Sequence, residues 1–95
     1  MPLRIRIPIP ILAPRTRLNL GRVYFALDKT ELAIAEYRKA LELNGSYASA
    51  YYNLALAQVK LKDGAAARRA FKEVIRIAPD SEIGQLSREY LDLLK

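Results

Sequence analysis

The sequence predicts an all-α protein made of two antiparallel helical hairpins and a final capping helix, stacked as a short solenoid. Three observations lead to this prediction. The 95-residue chain repeats itself after 34 residues, apolar residues within each unit recur at helical spacing, and alanine and leucine abound while glycine is scarce at four copies. A period of this length is typical of stacked helix-turn-helix units.

The internal repeat appears when the sequence is shifted by 34 residues, because small residues then meet small ones and large apolar residues meet large ones. Asn19-Leu20 coincides with Asn53-Leu54. The other pairs are Gly21 with Ala55, Leu27 with Leu61, Ala33 with Ala67, Tyr37 with Phe71, Ala40 with Val74, Leu41 with Ile75 and Leu43 with Ile77. We therefore assign residues 14–47 to the first repeat and 48–81 to the second.

Each repeat is predicted to hold two helices joined by a polar turn. In the first repeat, Thr30 is the expected N-cap of the second helix, and Gly45 is expected to end that helix in the left-handed conformation. Apolar residues of its first helix are Leu18, Leu20, Val23, Tyr24 and Leu27. In the second repeat, the residues expected to face inward are Tyr51, Leu54, Ala55, Gln58, Leu61, Ala67, Phe71, Val74 and Ile75. Small residues at these helix contacts allow close approach, and Tyr37 and Phe71 fill the adjoining space.

Residues 82–95 are predicted to form a capping helix that starts at Asp80 or Ser81. Its apolar stripe consists of Ile83, Leu86, Tyr90 and either Leu93 or Leu94. We expect a cap rather than a third repeat, because the small-residue pattern of the repeats does not recur there.

This pattern resembles the tetratricopeptide repeat, in which an aromatic residue, Leu-Gly and Tyr are followed by Ala, Phe and Pro. The matching residues are Leu20, Gly21, Tyr24, Ala33 and Tyr37 in the first repeat, and Tyr51, Leu54, Ala67, Phe71 and Pro79 in the second. Arg17, Gln58 and Gly45 depart from the pattern by replacing the first aromatic, the tyrosine and the proline. The resemblance implies a right-handed α-solenoid that acts as a protein–protein interaction scaffold.

The resemblance also implies that the first helices of the repeats line a concave groove for a partner peptide. The residues expected there are Leu18, Arg22, Phe25, Ser49, Tyr52, Asn53, Leu56 and Lys60. Partial burial within the fold would equally explain Tyr52 and Leu56. Some members of the family bind the C-terminal carboxylate of chaperones through a clamp of lysines, asparagines and an arginine. Only Asn53 matches that clamp, so we expect no binding of chaperone tails.

The composition argues against an enzyme. Without histidine or cysteine, the chain has no histidine-activated nucleophile, no thiolate metal site and no disulfide. The carboxylates stand singly among basic residues, as on solvated helix faces. We expect no catalytic residues, no metal and no cofactor. With no signal peptide and no transmembrane segment recognised, we expect a cytoplasmic protein.

Residues 1–13 are predicted to form an extended segment outside the repeats, because prolines this dense exclude a helix. Apolar residues alternate there with arginines and prolines. The apolar set, which is the candidate for self-association, is Leu3, Ile5, Ile7, Ile9 and Ile11. Three interpretations stay open: a passive leader, a segment that docks on another copy, and a segment that fills the groove.

The net charge of +6 belongs to the front of the chain, where five arginines precede the first acid, Asp28. From Asp28 onward, eleven basic residues accompany ten acidic ones. Binding of nucleic acid or anionic lipid by the front arginines is therefore an alternative function, and homo-oligomerisation through the front segment and the uncovered repeat face is another. We expect a protein partner rather than nucleic acid.

Overall fold

The computed structural model describes residues 13–94, in which five α-helices and no strand are found. Each helix packs against the next one along the chain, so that two antiparallel hairpins stack side by side and the last helix lies on the second hairpin. The predicted all-α architecture is confirmed. The helices are α1 (Pro14–Ala26), α2 (Thr30–Leu43), α3 (Ala48–Lys60), α4 (Gly64–Ile77) and α5 (Glu82–Leu93).

The two hairpin turns have the same backbone geometry. Asp28 after α1 and Lys62 after α3 both have φ of 62°, the left-handed region that favours glycine. The backbone amide of the following residue then donates a hydrogen bond back into the helix. Lys29 N donates to the backbone carbonyl of Tyr24 at 2.8 Å, and Asp63 N donates to the backbone carbonyl of Gln58 at 2.9 Å. This backbone pattern satisfies carbonyl groups at the end of each first helix.

Two local predictions are wrong. Thr30 is the first residue inside α2 and is buried, while Lys29 is the N-cap and makes no side-chain cap hydrogen bond. Gly45 is not left-handed, since no glycine among the described residues has positive φ. The chain instead leaves α2 through Asn44 in an extended conformation, and the Asn44 side chain accepts a hydrogen bond from Ser46 N at 3.1 Å.

The core follows the predicted pattern of small residues beside aromatic rings. Ala33, Ala55 and Ala67 are fully buried, together with Tyr37 and Phe71. Gly21 lies so close to Tyr37 that a Cβ added to the glycine would be 2.5 Å from Cε1 of the ring. The absence of a side chain at Gly21 is therefore what allows α1 to approach α2 around a tyrosine.

Several apolar residues predicted to face inward are exposed. Val23, Leu27, Leu61 and Leu93 are all about half exposed or more. Val23 and Leu27 lie on a side of α1 that no helix of residues 13–94 covers, and Leu61 is the C-cap of α3, at the end of its hairpin. At the end of α5, the C-cap residue Leu94 packs against the core, whereas Leu93 does not.

The last helix docks through small residues that the sequence reasoning overlooked. Ser81 caps α5 by accepting a hydrogen bond from Gly84 N at 3.0 Å. Gly84 and Ser87 are both buried, and a Cβ at Gly84 would collide with the backbone carbonyl of Ala78. The small-residue pattern of the repeats does not recur in this helix, but these two other small residues provide a close contact. The predicted extended segment, residues 1–13, lies outside the described residues except for Ala13.

Candidate peptide-binding groove

A cleft of about 380 Å³ opens where α1, α3 and α5 present their sides to solvent. Most of its wall comes from α1 and α3, because these two helices occupy equivalent positions in successive hairpins. The cleft is lined by Arg15, Leu18, Asn19, Arg22, Tyr47, Ser49, Tyr52, Asn53, Leu56 and Ile83. We call this surface the groove.

Six of the eight residues that the sequence predicts for a binding site line the groove. They are Leu18, Arg22, Ser49, Tyr52, Asn53 and Leu56. Phe25 and Lys60 do not line it. The Lys60 ammonium instead lies 4.9 Å from the centroid of the Phe25 ring and forms an ion pair with Asp28, which joins α1 to the end of α3.

Four lining residues were missed. The 34-residue period could have found three of them, because Arg15 and Ile83 are each one period from Ser49, and Asn19 is one period from Asn53. Tyr47 precedes α3 and belongs to no helical stripe, so no periodic signal marks it. Ile83 shows that α5 occupies, beside the second hairpin, the place that α3 occupies beside the first.

The floor of the groove is held by three packed aromatic rings. The Tyr52 ring meets Phe71 edge-on at 6.1 Å between centroids and Tyr90 edge-on at 6.4 Å. Phe71 and Tyr90 are stacked at 4.8 Å with an interplanar angle of 6°. Because rings of this kind resist reorientation once packed, Tyr52 presents a fixed apolar surface to the groove.

The groove has a positive electrostatic character. Arg15 and Arg22 are exposed at its wall, and no carboxylate lines it. Burial, aided by the nearby Tyr90 and Glu82, raises the pKa of the Tyr52 phenol above its ordinary value, so this hydroxyl stays protonated at neutral pH and can donate. Asn53 donates from Nδ2 to the Ser49 carbonyl at 2.7 Å, an intrahelical bond that orients its amide.

A larger but shallower depression, about 580 Å³, lies beside the two hairpin turns. Its charged groups include the Asp28–Lys60 ion pair, whose lysine holds the pKa of the Asp28 carboxyl below its usual value. Residues 13–94 contain no group of three or more acidic side chains placed to bind a metal ion. Both surfaces combine apolar, hydrogen-bonding and charged side chains, but carboxylates line only the depression, so the groove is the one suited to an acidic ligand.

Two family models match the chain. One, described as TPR repeat, matches residues 21–62, and the other, described as tetratricopeptide repeat, matches residues 48–81. The chain belongs to the tetratricopeptide repeat family. Repeats of this family are in general protein-interaction modules, and the hairpin stack described above has the architecture of such modules.

The curated relatives that the chain matches extend well beyond the region of similarity. The chain is 33% identical over 72 residues to the chloroplastic tetratricopeptide repeat domain-containing protein PYG7 of Arabidopsis thaliana. It is 29% identical over 72 residues to the uncharacterized protein ycf37 of Porphyra purpurea. Each match covers 76% of this chain, but only 24% of the first relative and 42% of the second. None of the helices described between residues 13 and 94 is long and apolar enough to span a bilayer.

Proposed function

We propose that this tetratricopeptide repeat protein is a non-catalytic scaffold that binds an extended peptide segment in the groove. The bound segment carries an aliphatic or aromatic side chain followed by a carboxylate. The observation that carries the proposal is the composition of the groove wall, in which apolar side chains and two arginines face the same cleft without any acidic residue.

The apolar part of the groove suits one or two large side chains. Tyr52 and Leu56 are half-buried in α3 and leave part of their surface accessible, and Ile83 extends this surface onto α5. A cleft of about 380 Å³ is at the small end for a ligand site, so a short stretch of peptide fills it. Burial of such side chains supplies roughly 25 cal/mol for each Å² removed from water.

The polar part of the groove favours a carboxylate. Arg15 and Arg22 are seven residues apart on α1, which is about two helical turns, so they lie on the same side of the helix. Both can therefore approach one acidic group or a pair of them. The Tyr52 hydroxyl and the Asn53 amide can bond the peptide backbone. Because the arginines are exposed, their contribution to affinity is small, on the order of 1 kcal/mol each, and is screened by salt.

The composition supports a non-catalytic role, and the family is in general non-catalytic. The chain offers neither histidine nor cysteine, and its groove is lined by residues that bind rather than react. The cytoplasmic location and the nucleic-acid alternative stay predictions. The groove does not favour the latter, because only two basic residues, Arg15 and Arg22, line it, which is few for contacts to a phosphate backbone.

Selection of random peptides displayed on phage tests the proposal. The full chain should enrich peptides in which an Asp or Glu stands close to an aliphatic or aromatic residue. The charge reversal Arg22→Glu should weaken binding of these peptides by roughly tenfold, as measured by fluorescence anisotropy, because it removes one favourable charge contact and adds a repulsive one. Arg69→Glu is the matched control, since Arg69 is equally exposed but lies on α4 outside the groove.

Equal affinity of the selected peptides for the Arg22→Glu and Arg69→Glu variants would place their site elsewhere. Failure to enrich any peptide from a library of extended sequences would contradict the proposal as well. Binding that weakens with added salt, and that is reduced by Arg22→Glu but not by Arg69→Glu, is the supporting result.

A further inference from the structure

A further cavity, of about 260 Å³, lies on the opposite side of α3 from the groove. Tyr52 and Leu56 of α3 line the groove. The α3 residues that line this cavity are Tyr51, Leu54 and Gln58. Because an α-helix turns by about 100° per residue, the two sets of side chains point about half a turn apart. Helices α2 and α4, which both pack on α3, form the two walls. We call this surface the rear cavity.

Gln58 lines the rear cavity with a side-chain amide that has no hydrogen-bonding partner. Its exposed fraction is 6%, and its side chain bonds no other residue between 13 and 94. Only its Oε1 atom is sealed from solvent, so Nε2 is the atom that a molecule in the cavity can reach. Buried polar groups are nearly always hydrogen-bonded. An unbonded amide at the wall of a cavity is therefore suited to a ligand that accepts a hydrogen bond.

Two arginines flank the rear cavity, one from each wall. Arg38 of α2 and Arg69 of α4 both line it, and neither forms an ion pair or a hydrogen bond with another residue in the described part of the chain. The carboxylate that lines the cavity, Glu73, is already paired with Arg76. Guanidinium groups and an amide N–H only donate hydrogen bonds, so together they favour a ligand with an anionic acceptor.

The first repeat holds a carboxylate at the equivalent place. Glu36 is one period before Ala70, and its largely buried carboxylate is bound by Arg17 and Lys39. Ala70 has no side chain beyond Cβ and lines the rear cavity. The basic groups lie at other positions in the second repeat, where the two arginines of the rear cavity supply the positive charge. The hairpin fold thus accommodates a carboxylate here when basic side chains are near it.

We infer that the rear cavity is a binding site for a carboxylate, which comes from an acidic side chain of a partner protein or from a small free carboxylic acid. The carboxylate accepts hydrogen bonds from Gln58 Nε2 and from the guanidinium groups of Arg38 and Arg69. A volume of about 260 Å³ is below the range of sites for drug-sized ligands, so one side chain or one small acid fills it. The site lies across α3 from the groove and does not rest on the proposed function.

Nuclear magnetic resonance of the isotope-labelled full chain tests the inference. Titration with glutarate probes a free acid, and titration with a blocked tripeptide that has glutamate between two glycines probes an acidic side chain. Saturable shifts of the Gln58 side-chain amide and of the Tyr51 and Ala66 backbone amides with either ligand support the inference and identify the source. Glutaramide, which has the same shape without charge, should cause no saturable shift at equal ionic strength.

Substitutions of single lining residues define the contacts. Arg38→Gln and Arg69→Gln should each weaken binding by about three- to fivefold, as expected for exposed charges. Lys72→Gln is the matched control, because it removes one charge from an exposed position of α4 outside the cavity. Gln58→Leu should weaken binding by about tenfold without lowering the thermal midpoint of unfolding, a combination that a purely structural role of the amide would not produce.

Ala70→Glu supplies the carboxylate from the chain itself. The new side chain stands at the position that Glu36 has in the first repeat, so it should occupy the rear cavity and abolish the shifts caused by both ligands. Circular dichroism checks that this variant is folded. Because Ala70 is buried, the arginine substitutions decide the matter if the variant does not fold.

Three results would overturn the inference. The first is the absence of saturable shifts with either ligand, and the second is equal weakening by Arg69→Gln and Lys72→Gln, which would indicate a general attraction of anions. The third is a set of shifts confined to Tyr52 and Asn53, which would leave the proposed function standing. Shifts at the rear cavity in a chain that selects no peptide in its groove would support this inference while the proposed function fails.

Discussion

Arg17 of α1 donates a hydrogen bond to Glu36 of α2 across 3.1 Å, at the two positions that Tyr51 and Ala70 occupy one repeat later. Both charged side chains are largely buried, with 19% and 9% of their surface exposed. Lys39 also contacts the Glu36 carboxylate at 3.4 Å. The first repeat thus joins its two helices by an ion pair where the second uses an aromatic residue beside a small one.

The Arg17–Glu36 pair is neither at the surface nor deep in the core. Its loss should therefore lower the free energy of unfolding by an intermediate amount. Arg17→Ala should lower the free energy of unfolding by about 1–2 kcal/mol. The double substitution Arg17→Tyr with Glu36→Ala copies the second repeat and should recover most of that loss. Urea denaturation followed by circular dichroism measures both. A double variant no more stable than Arg17→Ala would show that the two contacts are not interchangeable.

Gly21→Ala should destabilise the protein although alanine is the better helix former. The new methyl group would lie 2.5 Å from the Tyr37 ring and 3.1 Å from the Ala33 carbonyl, and the buried ring has no space to move. We expect a loss of about 1–3 kcal/mol, as for other overpacked cores. Gly45→Ala is the control, because its methyl group meets only the Leu41 carbonyl at 3.9 Å. Thermal melting curves should show a lower midpoint for Gly21→Ala alone.

Lys62→Gly should stabilise the protein. Lys62 has φ of 62°, a conformation that costs an ordinary residue about 1 kcal/mol and glycine almost nothing. The unfolding free energy should therefore rise by up to about 1 kcal/mol, somewhat reduced by the greater freedom of glycine in the unfolded chain. Lys72→Gly in the interior of α4 should have the opposite effect. An unfolding free energy that falls in both variants would contradict the turn geometry.

Gln58→Leu should also stabilise the protein. Gln58 is buried and no donor among the described residues bonds its Oε1 atom, so this oxygen is an uncompensated polar atom. Replacement by an apolar side chain of similar volume should raise the unfolding free energy by about 1 kcal/mol. Gln85→Leu, at an exposed position of α5, should leave it unchanged. Equal effects of the two substitutions in chemical denaturation would show that Gln58 is satisfied.

Stability should decrease in alkaline solution. Burial raises the pKa of the Tyr37 and Tyr52 phenols above the ordinary value of 10.0. Since the folded state holds these protons more tightly than the unfolded state, the associated stability is present below pH 10 and is lost as the pH rises above it. Tyr37→Phe and Tyr52→Phe should each flatten the decline of unfolding free energy above pH 10. An unchanged slope in both variants would contradict this origin.

The interior of each repeat could be predicted from the sequence because its contacts are local. Residues such as Ala33 and Tyr37, four apart on one helix, meet Gly21 within the same hairpin, so spacing alone brings them together. The 34-residue period then places the next hairpin. Most of the groove was predictable for the same reason, since its residues recur on equivalent helices.

The errors occur where burial depends on a neighbouring element rather than on spacing. Val23 and Ala57 occupy equivalent positions in the period, yet within residues 13–94 only Ala57 has a hairpin in front of it. Phe25 and Lys60 were assigned to the groove, but their mutual contact and the Asp28 carboxylate hold them outside it. The uncovered face of the first repeat could be expected from the sequence, but the competing ion pair between Lys60 and Asp28 could not.

The sequence by itself therefore determined the helices, their pairing and the family, because these depend on periodicity and on small residues at fixed spacing. Only the tertiary structure decided which side of each helix is covered and how Gly84 and Ser87 dock the last helix. The physical reason is that an apolar stripe specifies a face to be buried, while its burial requires another surface whose position the stripe does not encode.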